Sequence, residues 1–288
     1  MVITGSSRGL GRAFAIASAA EGARIIVNGT NESALAETVG VIEAGNGRVV
    51  PVLGSVAEPE VAERLVRTCV ERFGGIDVMV NNAGIVRDRT LLKMSVDDWD
   101  EVVRVHLRGA FLCTQQAALA MRETGGHVIQ VISASGLVGG FGQGNYAAAK
   151  EGMIGLLRTS LLEFGRYGIR SNALWPVAQT DMTQVVFERA RSAAAQRGEA
   201  VPDPVDMGFG LPEEVAAGLV WLASDGAARF NGQILSFNGR KTGLWTHPAE
   251  VHGEYRDTPW TVEELDAYYR DIDPQPVNPP VRSRTPEN

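Results

Sequence analysis

The sequence predicts an α/β fold: a doubly wound parallel sheet of about seven strands with helices on both faces, in a single domain with a C-terminal tail. Three observations predict it. Short apolar runs at residues 1–3, 23–28, 48–53, 76–80, 128–132, 171–175 and 232–237 are separated by longer segments, several of helical period. A turn with Gly5, Gly9 and Gly11 joins the first run to the first helical segment. The fourth run passes directly into Asn81-Asn82-Ala83-Gly84, small residues and amides at the place where an open α/β sheet takes its ligand.

The first strand, residues 1–3, spans only about 10 Å at ~3.3 Å per residue, short for the centre of a parallel sheet. The expectation is therefore that the numbering starts inside a longer strand. Glycines spaced G-x-x-x-G-x-G before a helix let the backbone turn tightly and bring a pyrophosphate to the helix N-terminus. The second strand ends in Asn28-Gly29-Thr30-Asn31, with no carboxylate for a ribose 2′-hydroxyl, while Arg8 in the glycine turn can meet a 2′-phosphate. That pairing favours NADP(H) over NAD(H). Pro59 opens a helix with a core-facing stripe of Val61, Leu65, Val66, Cys69, Val70 and Phe73. Ser95 and Asp98 form a capping-box start to a long helical stretch that contains His106. By pattern alone, a lone helical histidine reads as structural.

The chemistry concentrates after the fifth strand. Ser133 ends that run, a glycine-rich loop follows, and Tyr146 and Lys150 stand four apart on one face of the next helical segment. A phenol titrates near pH ~10, and a neighbouring ammonium is expected to favour the phenolate and lower that value. The trio suits moving a proton on or off an alcohol oxygen, although a Tyr and a Lys at this spacing are more often surface neighbours. The same helix continues through residues 153–164 with enough apolar side chains to predict burial against a second subunit, a homodimer or homotetramer.

Residues 184–210 lose the strand–helix rhythm and read as an irregular lid. A helix at 212–224 and the last strand follow, so the domain is expected over 1–240. The extension 241–288 carries Trp245 and Trp260, expected to pack on the body or a partner, a short helical piece at 261–272 and a Pro-rich end expected to be disordered.

Composition narrows the partners. At 288 residues, 44% hydrophobic and 21% charged, the chain matches a soluble globular protein. A net charge of −7 gives no basic field for nucleic acid or an anionic membrane. No apolar run approaches the ~20 residues of a membrane span, and no signal peptide is seen. Two cysteines, Cys69 and Cys113, in apolar patterns fit free thiols in a reducing cytoplasm, and four scattered histidines give a metal site no support.

With these pieces in order, residues 1 to about 240 resemble the short-chain dehydrogenase/reductase family. The motifs are T-G-S-S-R-G-L-G, N-N-A-G, Ser133, Y-A-A-A-K, and Pro176 followed four residues later by Thr180. The resemblance implies a Rossmann-type dinucleotide fold and the interconversion of a secondary alcohol and a ketone with a nicotinamide cofactor. It puts the general acid/base on Tyr146, the cofactor-ribose and pKa-lowering role on Lys150, and the substrate-oxygen contact on Ser133. It also implies cofactor contacts at Gly5, Ser7, Arg8, Gly9, Leu10, Asn82, Ala83, Gly84, Val177 and Thr180. Within the family the chain looks most like the (3R)-hydroxyacyl-CoA dehydrogenase and 3-oxoacyl reductase branch. The stretches N-N-A-G-I-V-R-D-R and F-G-Q-G-N-Y-A-A-A-K carry that likeness. It implies a 3-hydroxyacyl or 3-oxoacyl thioester, ahead of a steroid or other polycyclic alcohol, with Arg189, Arg191 and Arg197 as candidates for coenzyme phosphates. A non-catalytic nucleotide-binding protein is the competing reading. His106 stands where most members carry a catalytic Asn, which makes it a candidate fourth site residue. Val177 replaces a Gly, Ser55 an adenine-holding Asp, and Asn238-Gly239-Arg240-Lys241 a double glycine.

Overall fold

The computed structural model describes residues 1–251, 254, 256, 257 and 259–272. In chain order the elements are β1 (Val2–Ile3), α1 (Gly9–Ala20), β2 (Arg24–Gly29), α2 (Glu32–Ala44), β3 (Arg48–Leu53), α3 (Pro59–Phe73) and β4 (Val78–Asn81). There follow α4 (Val96–Val103), a π-helical turn (Arg104–Arg108), α5 (Gly109–Met121), β5 (Gly126–Val131), α6 (Ala134–Val138), α7 (Gly144–Phe164) and β6 (Ile169–Pro176). The remainder is α8 (Gln184–Arg197), α9 (Pro212–Ala223), β7 (Ile234–Phe237), β8 (Thr242–Trp245) and α10 (Val262–Tyr269).

The strands form one sheet in the order β3-β2-β1-β4-β5-β6-β7-β8, parallel except for the final pair. Alternating side chains supply two cores, as the period of a strand requires. Ile25, Val27, Val80 and Ile129 face one side with Phe14, Leu35 and Leu219 from α1, α2 and α9. Ile26, Met79 and Val128 face the other with Leu65, Cys69, Cys113 and Met121 from α3 and α5. Both thiols are free and buried, and burial pushes Cys113 up to about 12.

Strand order reverses between β1 and β4, so the loops after β1, β4, β5 and β6 open at one carboxyl edge. β1 is two residues long, yet Val2 and Ile3 are fully buried and paired on both sides, to Ile26–Val27 and Met79–Val80.

Two departures from expectation concern the second half. The lid stretch is helical over Gln184–Arg197, because the Ala193-Ala194-Ala195 run is strong helix former and Gly198, at φ 67°, closes the helix. An eighth strand follows β7 through the turn at Asn238-Gly239, where Asn238 Oδ1 accepts from the amides of Arg240 (3.0 Å) and Lys241 (2.6 Å). Trp245 stacks on Trp175, centroids 4.7 Å apart, and donates Nε1–H to Ser236 Oγ at 3.1 Å. The first compact unit consequently runs to Trp245, past the boundary expected at 240.

The second unit starts at Thr246. In it α10 is capped by Thr261, whose Oγ accepts from Glu264 N. Arg256 pairs with Glu264 at 2.8 Å and lies 4.4 Å from the Trp260 ring centroid. The Pro-rich end from residue 273 lies outside the described residues. Among the described residues no helix is long and apolar enough to cross a membrane.

Candidate active site

Each candidate residue stands at the carboxyl edge of the sheet for a local reason. Ser133 follows β5 and is the N-cap of α6, its Oγ accepting from Ser135 N at 3.3 Å. Tyr146 lies in the first turn of α7, and Lys150, one turn later, is buried. The Ser133 side chain lies near enough to the Tyr146 phenol to favour its charged form. Lys150 Nζ donates to Val131 O at 2.6 Å and stands 5.5 Å from the centroid of the Tyr146 ring. The three side chains foreseen from spacing alone therefore meet.

Their electrostatics differ from expectation. The Tyr146 phenol is pushed up to about 12, chiefly by burial, with the Ser133 side chain opposing and the Asp88 charge adding. Burial likewise pushes Lys150 down to about 7. The ammonium expected to lower the phenol is itself destabilised by the same dry surroundings, and its Nζ is turned to a main-chain carbonyl.

His106 sits in the π-helical turn, a form that recurs at functional sites. Its ring meets Tyr146 edge-on, centroids 5.1 Å apart at 88°. Nε2 lies 2.9 Å from Ile85 N and 2.8 Å from Ile85 O, so one tautomer accepts from the amide and the other donates to the carbonyl. Nδ1 is buried without a partner. Burial first, then the Lys150 charge, hold its pKa down to about 3, so the imidazole is neutral at ordinary pH.

The glycine turn fits a dinucleotide pyrophosphate. Helix α1 has no side-chain cap at Arg8 and no acid in its first turn, which leaves its leading amides to an anion. Gly5, at φ 64°, lies against the end of β4: a β-carbon there would stand 2.6 Å from Ala83 Cα. Asn82 holds the turn from behind, donating Nδ2–H to Thr4 O (2.9 Å) and Gly5 O (3.1 Å), while Thr4 Oγ1 accepts from the amides of Asn82 and Ala83 at 3.0 Å each. Ser7, Gly9 and Leu10 complete the turn and the first helical residues.

Asn28 is buried, its Nδ2 donating to Val52 O and Gly54 O, its Oδ1 accepting from Gly5 N at 3.3 Å. It braces the loops and has no donor to spare. Arg8 is exposed, 3.7 Å from Asp181, which follows Thr180 on the β6 side of the cleft. Val177 N donates to Phe237 O at 2.8 Å, and Thr180 caps a short 3-10 turn. Arg191 is exposed on α8 and Arg197 pairs with Glu199 at 2.8 Å; the Arg189 side chain lies outside the described ones.

Four polar residues beside the trio were not singled out from the sequence. Asn145 is fully buried, donating to Arg87 O (3.1 Å) and Asp98 O (2.9 Å) and accepting from Tyr146 N (2.8 Å), so it ties α7 to α4 and the loop after β4. Asp88, Ser135 and Gln143 form a line discussed below. An amide next to the phenol in G-Q-G-N-Y was the available signal.

Residues 1–191 match the family model described as short chain dehydrogenase. A "3-oxoacyl-[acyl-carrier-protein] reductase" of Synechocystis is 37% identical over 83% of this chain and 94% of the relative. "Hydroxyacyl-CoA dehydrogenase ChsB1" of Mycobacterium tuberculosis is 38% identical over 94% of this chain and 87% of its own. A solved short chain dehydrogenase from Mycobacterium avium superposes with a TM-score of 0.80 at 35% identity, covering 94% of this chain and 93% of that one. Fold, motifs and relatives agree, and the chain belongs to the short-chain dehydrogenase/reductase family of CH–OH oxidoreductases.

Proposed function

We propose that the chain interconverts a 3-hydroxyacyl and a 3-oxoacyl thioester with NADP(H). The observation that carries this reading is the convergence of Ser133, Tyr146 and the buried Lys150, whose Nζ stands 5.5 Å from the Tyr146 ring centroid, at the sheet edge that also holds the uncapped start of α1. The substrate class is supported by the relatives, one named for a hydroxyacyl-CoA and one for a 3-oxoacyl group on acyl carrier protein.

A bound nicotinamide supplies or accepts the hydride. In the reducing direction the Tyr146 phenol gives its proton to the substrate oxygen, and the Ser133 hydroxyl donates a hydrogen bond to that oxygen as charge develops on it. Lys150 favours the phenolate that remains whenever it carries its charge. His106 stays neutral and acts as a brace on Ile85 beside the Tyr146 ring. Gly5, Ser7, Arg8, Gly9 and Leu10 receive the pyrophosphate and adenosine end, Asn82, Ala83 and Gly84 back them, and Val177 with Thr180 close the nicotinamide end.

Preference for NADP(H) rests on the absence of a carboxylate at the end of β2, the engagement of Asn28 by main chain, and the exposed Arg8. Assembly as a homodimer or homotetramer is supported by the exposed Phe111, Leu119 and Leu162 along the groove between α5 and α7. A cytoplasmic location is supported by the two free thiols.

A panel of 3-oxoacyl thioesters and polycyclic ketones, each assayed with NADPH and NADH, tests the reading. The highest kcat/KM is expected for a thioester with NADPH. Faster turnover of a steroid ketone than of every thioester overturns the substrate assignment.

A further inference from the structure

A line of side-chain hydrogen bonds leads away from Ser133 to a carboxylate that the chemistry above does not use. Ser135 N donates to Ser133 Oγ at 3.3 Å, and the Ser135 hydroxyl donates to Gln143 Oε1 at 2.6 Å. Gln143 then donates Nε2–H to Asp88 Oδ2 at 3.1 Å. A carboxylate only accepts, so Asp88 fixes which way the Gln143 amide faces, and through it the Ser135 hydroxyl. The loop carrying Asp88 is pinned across the cleft by Arg89 N donating to Gly142 O at 2.8 Å and by Asn145 donating to Arg87 O.

The other Asp88 oxygen, Oδ1, is buried with no partner. None of the nearby cations pairs with this carboxylate: Arg87 pairs with Glu101, Arg89 Nη1 donates to the Asp88 main-chain carbonyl, and Lys150 donates to Val131 O. Among the described residues no ion pair joins Asp88. The line of hydrogen bonds from Ser133 places the carboxylate near the site, where its charge disfavours a second negative charge on the Tyr146 phenol.

We propose that Asp88, held by Gln143 and Ser135, is a specificity-determining residue whose carboxylate, in no ion pair, makes the site take uncharged esters and thioesters of 3-oxo and 3-hydroxy acids and reject the free carboxylates. The inference rests on the reading above only in placing the reacting oxygen on Ser133 and Tyr146. That placement sets the C1 group of a 3-oxygenated acid within a few bonds of the pair, where a carboxylate meets a like charge and a thioester does not. Repulsion between two unit charges across a partly dry site is enough to change affinity roughly tenfold.

Calorimetric titration of the full chain with 3-hydroxybutyrate and with its N-acetylcysteamine thioester tests this. NADPH is kept present, because a hydroxy compound and the reduced cofactor cannot exchange hydride. Asp88→Asn preserves the acceptor for Gln143 and removes the charge. It is expected to tighten binding of the carboxylate roughly tenfold while thioester binding changes less than about threefold, and Asp88→Glu is expected to keep the wild-type preference. The proposal is overturned if Asp88→Asn leaves carboxylate binding unchanged, shifts both ligands by the same factor, or if wild type binds neither. A thioester that binds with this preference but is never reduced or oxidised counts against the proposed reaction and leaves the charge filter standing.

Discussion

The His106 imidazole stands edge-on to the Tyr146 ring, centroids 5.1 Å apart, with its Nε2 on the main chain of Ile85. Burial keeps it neutral, with a pKa of about 3, and His127, buried in β5 with Nε2 2.9 Å from Asn172 Nδ2, is held at about 3 for the same reason. Both values lie below the ordinary 6.5, so between about pH 6.5 and pH 3 the unfolded chain binds more protons than the folded one. Stability must therefore fall as pH drops through that window and be unaffected by these groups above it. Each histidine contributes up to ~1.4 kcal/mol per pH unit. Thermal melts from pH 7 to 4 are expected to show this, with a shallower fall in His127→Gln.

Gly84 faces the same histidine. A β-carbon at residue 84 overlaps the His106 ring, which is buried and braced on Ile85. Gly84→Ala is expected to cost about 1–3 kcal/mol and to lower kcat by displacing His106 from Tyr146. Thermal melting and steady-state assays check both effects, and the double variant Gly84→Ala with His106→Ala is expected to recover part of the lost stability.

Arg8 is where the proposed preference for NADP(H) is tested. Its guanidinium is exposed beside Asp181, so its removal perturbs little else. Arg8→Ala is expected to raise KM for NADPH roughly tenfold, the worth of a charge-assisted contact to a phosphate, with KM for NADH changed less than about twofold. Equal effects on both cofactors contradict a 2′-phosphate role.

Much of this was legible in the sequence because each signal was local. The glycine turn, the Pro59 and Ser95 helix starts and the i, i+4 placement of Tyr146 and Lys150 depend on neighbours a few residues away. Ser133 needed only the strand before it. Long-range features were hidden: Asp88 meets Gln143 from 55 positions away, and Asn145 reaches Arg87 and Asp98 across comparable distances. The π-helical turn at Arg104–Arg108 has no composition signal. Electrostatic sense was hidden too, since spacing shows that an ammonium is near a phenol but not that loss of water destabilises the charged form of each. Two misses were readable. The alanine run in α8 favours helix, and Asn238-Gly239 is a strong hairpin signal.

Tyr146 is the proton donor and acceptor of the proposed reaction. The most direct measurement is kcat for reduction of a 3-oxoacyl thioester by NADPH in Tyr146→Phe, alongside the NADPH dissociation constant. Loss of the phenol proton is expected to lower kcat by about 10²–10⁴-fold, with cofactor binding changed less than about threefold, because the ring and its packing against His106 remain. Turnover at the wild-type rate in Tyr146→Phe would contradict the central claim.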